Sequence, residues 1–397
     1  MTGTSEHPDG PTAAPVGRRG FLATAALAAT APVPGTAPAP PPAVAPAAAG
    51  PPDGPAATPG AAPGSLPGSG PGRGSMARLL AVPEGDRGIE WIRAALDIAV
   101  RLELATIPPY LCGWWSVRDR RGEAARLIRR IVGDEMYHLG VVCNLLVAVG
   151  GRPRIRDAAL HYPGPLPGGV RAGVHVYLSG LTRDYVRDVM MAIEAPEAPL
   201  ARTAAHSPTI GGFYGDLQEA FRRTAPYLSA EGQLSDRIGS DVLEPVTGLD
   251  DVDRSLEIVR EQGEGTTSSP ANAFEDDHPA HYYAFAEIYH GRRLSRTPQG
   301  WQFTGASVPF PDARPMAAVP PDGWPRPPAQ VQRLLDQFDS TYWAVLDSLD
   351  EAWGGGGGRS LGAAVRAMRA MEDPAVELME TPLPDAPGTY GPQFRPS

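Results

Sequence analysis

Glu103, Glu135 and His138 are the residues whose types and spacing point most directly to chemistry. Glu103 lies in Arg101-Leu102-Glu103-Leu104-Ala105-Thr106-Ile107, and Glu135 opens Glu135-Met136-Tyr137-His138. Both stand on stripes that are otherwise apolar: Ile92, Leu96, Ala99, Glu103 in the first, and Ile128, Ile131, Glu135, His138, Val142 in the second. Steps of three and four put these side chains on the face a helix turns toward its core. A buried charge that is neither paired nor metal-bound is strongly unfavourable. A Glu from one helix facing Glu-x-x-His from the next is how a helical bundle holds two metal ions. The competing arrangement is a buried ion-pair network drawing on Arg101 or Arg130.

Weaker candidates follow. Glu194 closes the stripe Val186, Met190, Glu194 just ahead of Pro196, a place where solvated helix-terminal acids are also common. Glu261-Gln262-Gly263-Glu264-Gly265 offers two acids, but its apolar stripe does not run through Glu264. Glycine inside a helix costs about 1 kcal/mol relative to alanine, so Gly263 and Gly265 mark a helix end or a close approach. His281, on a stripe with His278, Phe285 and Ile288, could supply a second imidazole or be a satisfied core histidine. Carboxylate and imidazole donors suit iron or manganese better than a structural zinc, which usually recruits cysteines. Such a metal with an open position binds dioxygen or peroxide and oxidises a small molecule. Tyr110 and Trp114 lie close enough in sequence to serve as pocket or relay residues, and Glu264, if unligated, as a proton acceptor. Haem ligation is the other role open to His138 or His281.

Helices must hold these groups. The spacing predicts helices over about 87–117, kinked at Pro108-Pro109, and about 122–149, ended by Gly150-Gly151. Tyr162-Pro163-Gly164-Pro165-Leu166-Pro167-Gly168-Gly169 reads as part of a long crossover, and 174–178 as one short strand. Further helices are predicted at about 182–194, 208–224, 251–264 and 279–293. A Pro-rich loop covers 294–328, and helices at 329–353 and 361–379 flank the five glycines 354–358. A pocket for an organic molecule would draw on Trp114, Trp115, Phe213 and Tyr214.

The ends and composition set the frame. Arg18-Arg19 before the short apolar run Ala23 to Ala31 resembles a twin-arginine export signal, so residues 1–31 are expected to direct the chain out of the cytoplasm; without that signal it would stay there. Residues 32–76, almost wholly Pro, Ala and Gly, cannot bury enough surface to offset their ordering entropy and read as a solvated linker. Residues 77–397 form the folded part. No other apolar run is long enough to suggest a bilayer span. The net charge of −10 and the lack of a basic stripe argue against a nucleic-acid partner. Cys112 and Cys143 should sit about 25 Å apart along antiparallel helices, too far for a disulfide. Nothing in the sequence decides self-association.

Several segments together resemble one family. Leu102 to Leu111, Asp134-Glu135-Met136-Tyr137-His138-Leu139 leading into Asn144-Leu145-Leu146, and Gly150-Gly151-Arg152-Pro153 are similar to the ferritin-like domain of iminophenyl-pyruvate dimer synthases of violacein-type pathways. So are Tyr162 to Gly169, Ile193-Glu194-Ala195-Pro196-Glu197, Thr209-Ile210-Gly211-Gly212-Phe213-Tyr214, Gln262-Gly263-Glu264-Gly265 and His281-Tyr282-Tyr283-Ala284-Phe285. The resemblance implies an all-α, ferritin-like helical bundle with long crossover loops and extra C-terminal helices. It implies a metal set of Glu103, Glu135, His138, Glu194, Glu264 and His281 holding non-haem iron as one or two ions. The activity it implies is oxidative coupling of imines derived from an aromatic amino acid.

Overall fold

The structure, a computed structural model, describes residues 76–395 except 172, 197–209, 266–269 and 271–277; the side chains of Ala77 and Glu264 are also outside the description. The expected export signal and all of the expected linker but Met76 therefore lie outside the described residues. Met76 itself is fully buried and begins the short helix α1 (Met76–Leu80).

Two long antiparallel helices, α2 (Ile89–Ser116) and α3 (Glu123–Ala148), form the heart of the fold. The stripes that suggested them face inward: Ile92, Leu96 and Ala99 on α2 and Ile128, Ile131 and Val142 on α3 are all fully buried. The helix α2 continues through Pro108 and Pro109. Pro109 has no N–H to offer the carbonyl of Ala105, four residues back. The hydroxyl of Tyr162 donates to that carbonyl at 2.9 Å. In the same region Tyr185 donates to the carbonyl of Pro109 at 3.1 Å.

After α4 (Ile155–Ala158) the crossover contains a small ladder of β1 (Gly164–Pro165) and β2 (His175–Val176), a shorter strand than the predicted 174–178. The next helix has ends α5 (Arg183–Tyr185) and α6 (Ala192–Glu194), with Val186–Met191 between them wound as a π-helix. Then come α7 (Ile210–Thr224), the hairpin β3 (Asp236–Ile238) and β4 (Asp241–Leu243), α8 (Leu249–Glu264) and α9 (His281–His290). The π segment packs on α9, α7 packs on α8 and α2, and α8 and α9 both reach α3, closing the bundle. His278 lies before α9 and is exposed, so the predicted stripe begins at His281 instead.

The region 294–328 is mostly loop, with a hairpin of β5 (Ser295–Thr297) and β6 (Gly300–Gln302). The end of the chain folds into α10 (Ala329–Glu351), α11 (Gly357–Ala370) and α12 (Glu372–Glu380), which pack on one another and on α2 and α4. The glycines separate two helices as expected: Gly355 (φ 117°) and Gly357 (φ 58°) leave helical geometry between α10 and α11. One point differs from expectation. The predicted 361–379 helix breaks at Met371, because Pro374 has no N–H for the carbonyl of Ala370. Cys112 and Cys143 are both buried free thiols. Helix α3 is long and apolar enough to cross a membrane, but 89% of its apolar window is buried inside the fold.

Asn144 ties these layers together. Its Nδ2 donates to Leu234 O at 2.9 Å and to Glu244 O at 3.3 Å. Its Oδ1 accepts from Leu234 N at 2.9 Å and from Trp353 Nε1 at 3.0 Å. Asn144→Ala would leave these groups without partners in a dry interior, and is expected to lower stability by about 3 kcal/mol; a urea unfolding curve shifted by less than about 1 kcal/mol would contradict that.

Candidate metal centre

Five buried residues meet inside the bundle. Glu103 comes from the middle of α2, Glu135 and His138 from the middle of α3, Glu194 from the last residue of α6 and His281 from the first residue of α9. None is more than 5% exposed. Ligand atoms of Glu103, Glu135 and His138 lie within 4.8 Å of one another, and so do those of Glu135, Glu194 and His281. Glu135 belongs to both groups. Donors around one ion at about 2.2 Å stand at most about 4.4 Å apart, so a small inward shift would close each group on a cation.

Both imidazoles are set up alike. His138 Nε2 is 2.6 Å from Gln262 Oε1, while its Nδ1 faces Glu103 Oε2 at 3.6 Å. His281 Nε2 is 3.2 Å from Asp134 Oδ2, while its Nδ1 lies 2.9 Å from Glu135 Oε1 and 3.8 Å from Glu194 Oε1. That Nδ1 is buried without a hydrogen bond, because Glu135 sits close to it but off the N–H direction. An N–H on each Nε2, held by an acceptor, leaves each Nδ1 free on the side where the carboxylates lie. This is the outer support that fixes a metal-binding histidine's tautomer. Asp134 is held in turn by Arg130, 3.9 Å away.

The carboxylates are oriented too. Thr106 Oγ1 donates to Glu135 Oε2 at 2.8 Å, and Tyr110 donates to Glu194 Oε1 at 2.5 Å. Tyr214, from α7, donates to Glu103. Gly263 lies against the centre: a Cβ there would stand 3.3 Å from Glu194 Oε2. The close approach suggested by the glycines beside Glu264 is thus to a carboxylate of this cluster. A cavity of about 20 Å³ lies among Glu103, Glu135, His138 and Glu194, large enough for a water-sized group.

With only protein atoms present, the charges are strained. Burial drives Glu135 up to about 7, with Glu194 adding repulsion and the histidines partly offsetting it. Burial pulls His138 down, but Glu103 and Glu135 outweigh it and hold the imidazolium up to about 9. His281 is raised well above its usual range against burial by Asp134, Glu135 and Glu194. Glu194 is lowered despite burial because His281 and Tyr110 support its charge. The protonated imidazoles take the place of cationic charge. Three carboxylates and two imidazoles without a thiolate form a donor set that fits iron or manganese.

The sequence expectations map onto this centre unevenly. Glu103, Glu135, His138, Glu194 and His281 come together. Glu264 ends α8, but its side chain lies outside the described residues. Tyr110 touches the centre through Glu194. The alternative ion-pair network is not formed by the cluster itself: Arg130 reaches Asp134, and no ion pair of Arg101 with these carboxylates occurs among the described residues. The four expected pocket aromatics are not brought together. Phe213 and Tyr214 lie on α7, whereas Trp114 and Trp115 line a different cavity. Trp114 is eleven residues beyond Glu103, about 16 Å further along the helix axis. Asp134, Gln262, Thr106 and Tyr214 support the centre and were not singled out for that role; only Thr106, one turn from Glu103 on the same face, carried a positional signal.

A helical bundle holding carboxylates and Glu-x-x-His in its interior has the architecture of ferritin-like metal proteins. Residues 96–290 match the family described as Ferritin-like. A ferritin-like protein from Caulobacter vibrioides has a similar structure, with a TM-score of 0.56 and 21% sequence identity, covering 77% of this chain and 97% of that one. No curated protein matches the sequence. The chain has a ferritin-like fold.

Asp134→Asn keeps the shape but weakens the acceptor that orients His281. It is expected to reduce metal affinity by about 10- to 100-fold; a metal titration giving unchanged affinity would show that Asp134 does not act through the imidazole.

Proposed function

We propose that the chain is a non-haem, iron-dependent oxidase or oxygenase with a dinuclear centre. One ion position is formed by Glu103, Glu135 and His138, the other by Glu135, Glu194 and His281, with Glu135 shared. The observation that carries this reading is the matched pair of imidazoles, each with Nε2 held and Nδ1 turned to the carboxylates. Iron held there supplies activation of dioxygen or peroxide and oxidation of a bound substrate.

The protein's own part is to orient. Tyr110, Tyr214 and Thr106 fix the three carboxylates, Asp134 and Gln262 fix the imidazoles, and Glu264 is proposed as a further ligand or a proton acceptor. The resemblance to iminophenyl-pyruvate dimer synthases supports an aromatic, amino-acid-derived imine as substrate and oxidative coupling as the reaction. Arg18-Arg19 and the apolar run after it support export as the route to the site of action.

A second reading, iron or peroxide handling without an organic substrate, is favoured by the small cavity at the centre, about 20 Å³ among the described residues. Oxygen uptake by iron-loaded protein separates the two. The oxidase reading expects uptake that depends on an added aryl-pyruvate imine or related amine; uptake driven by ferrous iron alone and unmoved by organic additives favours the second. Elemental analysis of the wild type beside Glu135→Ala with His138→Ala tests both, since equal metal content in the two samples discards either reading.

A further inference from the structure

A second, larger cavity lies on the other side of the α2–α3 pair. Its volume is about 690 Å³, within the range of small-molecule sites, and it shares no lining residue with the metal centre. One wall is the outer face of α2 and α3, including Ile107, Leu111 and Trp115; the opposite wall comes from α10 and α11, including Leu346 and Met368.

The polar lining is one-sided. Arg129 from α3, Arg237 from β3 and Arg369 from α11 all border the cavity and are exposed. None of the three makes an ion pair among the described residues. The single acid on the lining, Glu372, is already paired with Arg120 at 3.1 Å. Arg130 adds a fourth cation, directed toward Asp134. Apolar walls with guanidinium groups drawn from three separate elements, on a chain of net charge −10, complement a molecule with an extended apolar body and an anionic end.

We propose that this cavity binds an amphiphilic carboxylate. Its hydrocarbon or aromatic body lies between the α2–α3 layer and the C-terminal helices, and its carboxylate meets Arg129, Arg237 and Arg369. The inference does not rest on the metal reading. A long-chain fatty acid and an aryl-alkanoate share the required chemistry, and binding experiments tell them apart.

Gly133 provides the test. It borders the cavity from α3, and a Cβ placed on it meets nothing within 4 Å. The full chain is titrated with palmitate, with indole-3-acetate and with neutral hexadecanol, and binding is followed by the fluorescence of Trp114, Trp115 and Trp353, which all line the space. One of the two carboxylates is expected to bind, with the neutral alcohol weaker by at least about tenfold, a factor set by 1.4 kcal/mol. Gly133→Phe should narrow the space and weaken binding by at least about tenfold, whereas Gly133→Ala should retain it and raise Tm. Arg129→Ala with Arg369→Ala, both exposed positions, should weaken carboxylate binding by about tenfold without changing Tm. Glu135→Ala with His138→Ala should bind as the wild type does, so loss of the metal centre and loss of this site are separately visible. The proposal is overturned if neither carboxylate binds, if hexadecanol binds equally well, or if a folded Gly133→Phe protein binds as before.

Discussion

Replacing Glu135 by alanine is expected to remove both metal positions at once, whereas Glu103→Ala or Glu194→Ala removes one. The reason is geometric: Glu135 is the only residue common to the two groups of ligand atoms, and its Oε1 lies 2.9 Å from His281 while its Oε2 is held by Thr106 at 2.8 Å. Protein loaded with ferrous iron and freed of excess should fall from about two ions per chain to about none in Glu135→Ala, and to about one in Glu103→Ala. Metal analysis of gel-filtered protein reads this directly. One ion retained by Glu135→Ala would show that the carboxylate is not shared. Thr106→Val is the control: it loses a hydrogen bond to Glu135 but no ligand, so it should keep both ions with reduced affinity.

Metal-free and metal-loaded protein should also respond to pH with opposite signs. In the metal-free chain Glu135 is raised from 4.5 to about 7 and His138 from 6.5 to about 9. Both groups hold their protons more tightly when folded. Their contribution to stability is therefore fully present below the unfolded values and is lost as pH rises through the folded ones. The loss runs from about pH 4.5 to 7 for Glu135 and from about 6.5 to 9 for His138. For His138 alone it is on the order of 3 kcal/mol, or about 4–5 °C in Tm for a domain this size. Asp134 and Glu194, whose values are lowered, act in the opposite sense but only in the acid range below their ordinary values. Metal binding needs both imidazoles neutral and the carboxylates ionised, so it releases protons and strengthens as pH rises. Thermal melts should fall with pH from about 6.5 to 9 in chelator, whereas in saturating ferrous iron they should rise while the unfolded imidazoles lose their protons near pH 6.5 and then level off. Parallel curves would mean that the ion does not displace these protons.

Much of this centre is visible in the chain, for an identifiable reason. Glu103, Glu135 and His138 interrupt long apolar stripes, and a charge in a helix's inward face has few physical explanations. Glu194 was harder because a helix end beside a proline is an ordinary place for a solvated acid; the fold buries it against Tyr110 of α2, Gly263 of α8 and His281 of α9. His281 is the first residue of its helix, so no inward stripe precedes it to mark it as more than a core histidine. Of the neutral groups, Tyr110 and Tyr214 stood out only as relay or pocket aromatics, and Gln262 carried no signal. Tyr214 continues the aromatic face of α7, and Gln262 looks like any polar residue near a helix end, until the structure places them on Glu103 and His138. The long helices were legible because their periodicity is sustained. The break at Met371 was not, because apolar spacing carries across a proline that a first helical turn tolerates.

Tyr162 reaches from a loop to occupy the carbonyl that Pro109 cannot serve, and this makes the history of the two positions contingent. While residue 109 is proline, phenylalanine at 162 strands a buried acceptor and selection should remove it. With alanine at 109 the helix would satisfy that acceptor itself, and the same phenylalanine would pass unnoticed. Lineages descended from such a chain can shed the pair in only one order, the proline first.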